Sequence, residues 1–128
     1  MRELKFRLIS FDKEIVGYEK WSPCVDKSWI YSTDNNRWFY TQIEHQFKDQ
    51  FTGLTDKNGV EIYKDDIIKV TRFEESWVGI VTWDDTEIVG FRTPYKKNGL
   101  EYQPYLCGWY EYEVLGNIHQ NPELLGES

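Results

Sequence analysis

Alanine is missing from this sequence and methionine occurs once in 128 residues, so two of the residue types that most favour helices contribute almost nothing. Large rings are abundant instead, with six Trp, nine Tyr and seven Phe. Aromatic side chains suit strands better than helices and must fill much of the interior. The composition therefore excludes a helical bundle and predicts a mainly β protein with little helix.

Cysteine and histidine are equally scarce. Cys24 and Cys107 are the only thiols and lie far apart, which excludes a disulfide framework, a redox pair and a metal knuckle. His45 and His119 are the only imidazoles, and no third ligand follows either at a spacing typical of zinc sites. We therefore expect no metal and no cofactor.

Long apolar runs are also absent, since none approaches the ~20 residues that cross a bilayer. The start of the chain shows a charged, strand-like pattern rather than a signal peptide. These features predict a cytoplasmic protein with no membrane contact. The net charge of -7 opposes binding to a phosphate backbone but suits a basic partner.

The first half of the chain reads as hairpins. Alternation over residues 4–8, a turn at Asp12 and Lys13, and the apolar residues 15–18 predict the first one. Aromatic runs at 29–31 and 38–40 flank three residues, Asp34 to Asn36, that tolerate left-handed backbone, and predict a second.

Two stretches of the first half follow no such pattern. Residues 21–24 are expected to be irregular because Pro23 cannot donate to a ladder. Residues 41–49 fit one or two helical turns, with Ile43 and Phe47 four apart, or equally a linker.

The second half alternates short strands with turns. An Asn-Gly signal at 58–59 precedes strands at 61–63 and 67–70, and 77–83 reads as a strand that pairs with 87–92. A loop is expected at 96–99, a strand at 110–118 and a turn or short helix at 121–125. This order, without βαβ units, predicts a small barrel or a strongly bent sheet.

Catalysis is not expected. The acidic pairs Glu74-Glu75, Asp65-Asp66 and Asp84-Asp85 each fall in a predicted turn, where carboxylates are ordinary. The sequence offers no nucleophile motif, phosphate loop or metal signature. The prediction is that the protein is not an enzyme.

A mixture of rings and cations in the second half is the candidate binding surface. Small barrels bind single strands through such mixtures, although the same rings could simply fill the core. The candidate residues are Arg72, Trp77, Trp83, Arg92, Lys96, Lys97, Tyr102, Tyr105 and Trp109.

Three stretches together resemble the YopX family of small phage and prophage proteins: RELKFR at 2–7, QFTGLTDKNGVEIYKDDIIKV at 50–70 and VLGNIHQNPELL at 114–125. The resemblance implies one domain over 1–128, with an N-terminal hairpin region at 1–49 and an SH3-like barrel at 50–121. Family members often carry glycine where Asp65 stands, which puts the geometry of that turn in question. In the central stretch, Gly53 and Gly59 are expected to serve folding rather than ligand binding.

These observations favour a non-catalytic protein-interaction or assembly module. The expected partners are a second copy of the chain, or a protein of the phage or its bacterial host. The alternative is a small barrel that binds single-stranded nucleic acid, against which the acidic charge counts.

Overall fold

A computed structural model describes residues 4–23, 27–84, 90–97, 99–102, 104, 106 and 110–125. Cys24 and Cys107 lie outside these residues. The described strands are β1 (Lys5–Ile9), β2 (Ile15–Ser22), β3 (Ser28–Ser32), β4 (Phe47–Thr55), β5 (Glu61–Tyr63), β6 (Asp66–Arg72), β7 (Glu75–Ile80), β8 (Thr82–Asp84), β9 (Gly90–Arg92), β10 (Tyr95–Lys97), β11 (Leu100–Tyr102) and β12 (Glu111–Asn117), followed by a 3₁₀ helix, Pro122–Leu125. The prediction of a mainly β protein with little helix is confirmed.

The chain divides into two units, Met1–Gly53 and Leu54–Ser128. In the first unit, β1 pairs with both β2 and β4, and β3 adds to the outer edge of β2, all antiparallel. The predicted hairpin at residues 4–18 is confirmed. Leu8 and Ile9 are fully buried, while Arg7, Asp49 and Glu19 are buried charged residues of the same sheet.

The second predicted hairpin is only partly present. Asn35 has a φ of 62°, as the left-handed turn requires. The returning segment makes a single bridge, in which Tyr31 and Phe39 exchange backbone hydrogen bonds of 2.7 and 2.8 Å. The strand expected at 38–40 is therefore reduced to this bridge, and β3 pairs with β2 along its length instead.

One local prediction in this unit is wrong, and one of the two alternatives left open for another segment is excluded. Residues 21 and 22 were expected to be irregular, but they complete β2, where Trp21 faces Trp29 and Ser22 faces Ser28. Pro23 comes one residue after the strand, so it removes no ladder donor. The helical alternative for 41–49 fails because β4 begins at Phe47, which leaves 41–46 as the linker.

In the second unit, β6 lies between β12 and β7, and β8–β9 and β10–β11 form two further hairpins. The sheets defined among the described residues are open, and no closed barrel is found in them. The core consists of buried apolar residues on four strands (β5, β6, β9 and β12) and at position 81: Ile62, Ile68, Val70, Val81, Phe91 and Tyr112.

Two elements of this unit differ in detail from expectation. The strand predicted at 77–83 is interrupted at Val81, whose backbone bonds Asp65 and Asp66 at 2.9 Å each. The loop predicted at 96–99 is a hairpin, with Lys96 and Lys97 inside β10. The remaining strands, at 61–63, 67–70 and 110–118, and the short helix after residue 121 are confirmed within one or two residues.

Candidate functional site

The tip of the β6–β7 hairpin exposes an aromatic ring. Arg72 pairs with Glu75, which leaves Phe73 and Glu74 as the two residues of the turn. Phe73 is 91% exposed and has a φ of 55°. A bulky residue with positive φ is uncommon, since glycine or asparagine fits such turns with less strain. The turn therefore retains a large ring at a position where neither burial nor backbone geometry favours one.

The guanidinium of Arg72 lies close to the Phe73 ring. Its guanidinium carbon lies 5.8 Å from the centre of the Phe73 ring and 5.5 Å from that of Tyr110. Nη1 of Arg72 also donates a 3.0 Å hydrogen bond to the Tyr110 hydroxyl. A cation within about 6 Å of a ring centre is attracted by the ring quadrupole. The guanidinium thus links the exposed Phe73 ring to a half-buried tyrosine.

Tyr110 in turn connects the tip to the core. Its ring packs edge-on against Trp77 at 6.4 Å and against Tyr112 at 6.3 Å. Tyr112 belongs to the buried core, and Trp77 is packed against it. We call Phe73, Arg72, Tyr110 and Trp77 the tip cluster. It connects one exposed ring to rings packed on the core, and Glu74 and Glu75 follow Phe73 in the chain.

The predicted binding residues are divided between different sheets. Arg72 and Trp77 are brought together through Tyr110, as expected of a shared surface. Trp83 instead packs edge-on against Phe91 at 4.7 Å and contributes to the core. Arg92 pairs with Thr82, so its side chain points to the opposite face from Trp83.

The other predicted positions belong to the last hairpin or lie beyond the described residues. Lys96 and Lys97 are in β10, and Tyr102 is 41% exposed in β11 opposite Tyr95. Tyr105 and Trp109 lie outside the described residues. Phe73 was missed because it interrupts a polar stretch without any periodic pattern. Its position between a strand and two glutamates was the available signal.

The first unit contains a second arrangement of rings and charges. Lys48 Nζ lies 3.0 Å from the buried Glu19 carboxylate and 4.6 Å from the centre of the Phe6 ring. Burial and then the Glu19 carboxylate raise the pKa of Tyr31 to about 12. These groups satisfy one another across neighbouring strands, which gives Glu19 a structural role.

The central family-like stretch also serves the fold. Asp56 accepts hydrogen bonds from the backbone N–H of Asn58, Val60 and Val114 at 2.8–2.9 Å. Burial would raise the pKa of this carboxyl, but the three N–H donors outweigh it and lower the pKa. Gly59 adopts the left-handed φ of 82° that the Asn-Gly turn predicted. Asp56 thus organises the turn and joins it to β12.

The C-terminal stretch has a similar explanation. Asn117 Oδ1 accepts from the N–H groups of His119 and Gln120 at 3.0 and 2.9 Å. A Cβ on Gly116 would lie 2.4 Å from Asn121 Oδ1, so only glycine fits there without a shift. These contacts stabilise the turn that follows β12.

Each of the two histidines lies near an oxygen acceptor of another residue. His45 Nδ1 lies 2.8 Å from the Ile43 carbonyl oxygen, and His119 Nε2 lies 3.8 Å from Asp65 Oδ2. Asp65 itself has a φ of 73°, a left-handed conformation that glycine adopts more freely than aspartate.

No helix among the described residues is both long and apolar enough to cross a membrane. The chain is similar in structure to protein EF1440 from Enterococcus faecalis, with 22% identity, a TM-score of 0.43, and coverage of 98% of this chain and 100% of that one. No curated protein sequence matches it. The family model described as YopX protein matches residues 5–126, which is nearly the whole chain. The chain therefore belongs to the YopX family.

Proposed function

We propose that this protein is a non-catalytic interaction module of a phage or prophage, acting in the cytoplasm of the bacterial host, and that the tip cluster is its contact surface. The observation that carries the proposal is Phe73, which is 91% exposed in a left-handed turn. Residues in unfavourable backbone conformations concentrate at functional sites, where the strain is retained for a purpose. Aromatic side chains that fill a pocket on the partner are also common anchors of protein interfaces.

The chemistry around Phe73 indicates what the partner must offer. Glu74 and Glu75 follow the ring directly, and the whole chain carries a net charge of -7. An apolar pocket with a basic rim on a phage or host protein would complement both features. We also propose that the second unit bends into an SH3-like arrangement, as the family resemblance implies. Such an arrangement would hold the tip of the β6–β7 hairpin away from the core.

The test is a pull-down of tagged protein from lysate of a bacterial host, with and without nuclease. It compares the natural chain with Phe73→Gly and with Phe39→Ala, which truncates a ring that is 60% exposed in the first unit. Glycine fits the turn, so the Phe73 variant should fold normally, as circular dichroism and thermal unfolding would verify.

The proposal expects a defined protein that survives nuclease treatment, is lost with Phe73→Gly and is retained with Phe39→Ala. Equal capture by all three proteins would overturn the tip as the contact surface. A natural chain that captures no protein would overturn the interaction module.

The alternative function, binding of single-stranded nucleic acid, has one observation in its favour. A guanidinium between two rings resembles the stacking platforms on which such proteins hold bases. Capture that disappears with nuclease would move this function to first place. A fluorescence titration with single-stranded DNA and RNA at low salt should then saturate, and Arg72→Lys should weaken the binding because lysine lacks the planar stacking surface.

A further inference from the structure

A cleft of about 450 Å³ lies in the first unit, at the end of the β1–β2 hairpin. It falls within the range of roughly 300–1,000 Å³ that is typical of small-ligand pockets. One wall comes from the hairpin turn and the other from the segment before β4. The lining residues are Ser10, Phe11, Gln42, Glu44, His45 and Gln46.

Backbone hydrogen bonds fix both walls. Ser10 and Glu14 close the hairpin through a 2.9 Å bond from Ser10 N–H to the Glu14 carbonyl, and the Ser10 hydroxyl accepts from Glu14 N–H at 3.2 Å. The opposite wall is tied to the end of β1 by a 2.8 Å bond from Gln46 N–H to the Ile9 carbonyl. The cleft is thus formed before any ligand arrives.

The polar groups of the cleft favour a ligand that donates hydrogen bonds. The Ile43 carbonyl can only accept, so the 2.8 Å contact places the proton of neutral His45 on Nδ1 and leaves Nε2 as an acceptor. Glu44 adds a carboxylate, which also only accepts when ionised. The side-chain amides of Gln42 and Gln46 can each turn a carbonyl oxygen toward a donating ligand, although each amide also carries two N–H donors.

Charge and aromatic character favour a cation. Among the described residues that line the cleft, Glu44 is the one that carries a charge when His45 is neutral. The hairpin turn beside it carries Asp12 and Glu14 against a single Lys13. Phe11 is 79% exposed, so its ring face is accessible to a cation.

We propose that this cleft binds a guanidinium group, such as the side chain of an arginine presented by a peptide. A guanidinium has five donors and no acceptor, is always charged, and stacks on aromatic faces through its planar surface. It therefore matches the acceptors, the carboxylate and the ring together. This site is separate from the tip cluster, and its existence does not depend on the proposed function.

The experiment is an NMR titration of the ¹⁵N-labelled full chain with N-acetyl-arginine amide at low salt. N-acetyl-citrulline amide serves as the matched control, because it has nearly the same shape but no charge. We expect saturable shifts at the backbone amides of residues 10–14 and 42–46 with arginine and much weaker ones with citrulline. Glu44→Gln should weaken binding about three- to fivefold through loss of an exposed charge contact.

Two further variants separate the causes. Phe11→Leu keeps an apolar side chain but removes the ring, and should weaken binding about two- to fivefold. Phe73→Gly should leave arginine binding unchanged, so failure of the tip cluster and failure of this cleft can be distinguished. The inference is overturned if arginine gives no saturable shift at these residues, if citrulline binds equally well, or if Glu44→Gln binds arginine as tightly as the natural chain.

Discussion

Arg7 and Asp49 face each other directly across β1 and β4, with Arg7 Nη2 2.8 Å and Nε 3.2 Å from the same Asp49 oxygen. The two side chains are only 7% and 1% exposed. A buried ion pair of this kind must recover the cost of removing both charges from water. The contribution of this ion pair to the stability of the fold therefore depends on both partners being present.

Removing one partner should be costly. Asp49→Ala leaves the Arg7 guanidinium buried without this carboxylate, and we expect it to lower the free energy of unfolding by about 3–5 kcal/mol. The double variant Arg7→Met with Asp49→Leu removes both charges and should recover most of that loss. Urea unfolding of the three proteins is the measurement. A double variant as unstable as Asp49→Ala would show that the charges are not coupled.

Asp56 should make stability depend on pH in the acid range. Its pKa is lower in the folded chain than in the unfolded chain, where it is about 4. The stabilisation is therefore fully present above about pH 4 and is lost as the pH falls through the lower folded pKa.

Asp56→Asn should reduce stability at pH 7 by about 1–3 kcal/mol, because the amide cannot accept from all three N–H groups. Thermal unfolding between pH 2 and 7 should also show a flatter acid limb for this variant. Asp34→Asn is the comparison variant, because Asp34 is a second carboxyl with a lowered pKa but lies at an exposed site. Its pKa is lowered by the backbone N–H groups of Arg37 and Asn36 and by the Ser32 hydroxyl. If the stability of the Asp56→Asn variant fell with pH in parallel with that of the natural chain, Asp56 would not be the source of the acid-range stabilisation.

Substitutions at position 65 measure how much stability is lost by placing an aspartate in a left-handed backbone conformation. Asp65→Gly should be at least as stable as the natural chain, since glycine adopts a φ of 73° without a Cβ penalty. Asp65→Ala should be less stable than Asp65→Gly by about 1 kcal/mol. Both variants lose the contact with Lys64, so chemical unfolding of the pair isolates the backbone effect. Equal stability of the two would refute it.

Tyr31 should ionise at a higher pH than an ordinary tyrosine side chain. Its pKa of about 12 arises from burial first and from Glu19 second. Because the folded pKa is above the unfolded value of about 10, this stabilisation is complete below pH 10 and is lost as the pH rises toward 12.

Glu19→Gln should lower the pKa of Tyr31 only part of the way toward 10, because burial remains. NMR of ¹³Cζ-labelled tyrosine between pH 9 and 12 measures the shift by comparing the Tyr31 signal of the natural chain with that of the variant. An unchanged Tyr31 titration in the variant would exclude the contribution of Glu19.

Local signals predicted much of the fold. Alternation located β1 and β2, and the Asn-Gly pair located the turn organised by Asp56, because both signals act over a few residues. The start of β4 was missed at residues 47–49, where the spacing of Ile43 and Phe47 imitates a helix. Its strand character comes from pairing with β1, which is a tertiary effect.

The candidate site was predicted less well than the fold. Sequence proximity and residue type placed Arg72 and Trp77 in one surface, and Tyr110 joins them. The same criteria included Trp83, which packs on Phe91 instead, because strand alternation alone does not reveal which face is covered. Phe73 was missed because its exposure and φ are set by the turn geometry, and only its position between a strand and two glutamates indicated it.

The hydrogen bond from Val114 N–H to Asp56 joins residues that are 58 positions apart. During synthesis, the turn at Asp56 leaves the ribosome several seconds before Val114, at roughly 5–20 residues per second. The second unit consequently cannot complete its three-stranded sheet until its last strand, β12, has been translated. A nascent chain stopped before residue 111 would expose the edge of β6 that β12 covers, and would be open to pairing with other chains.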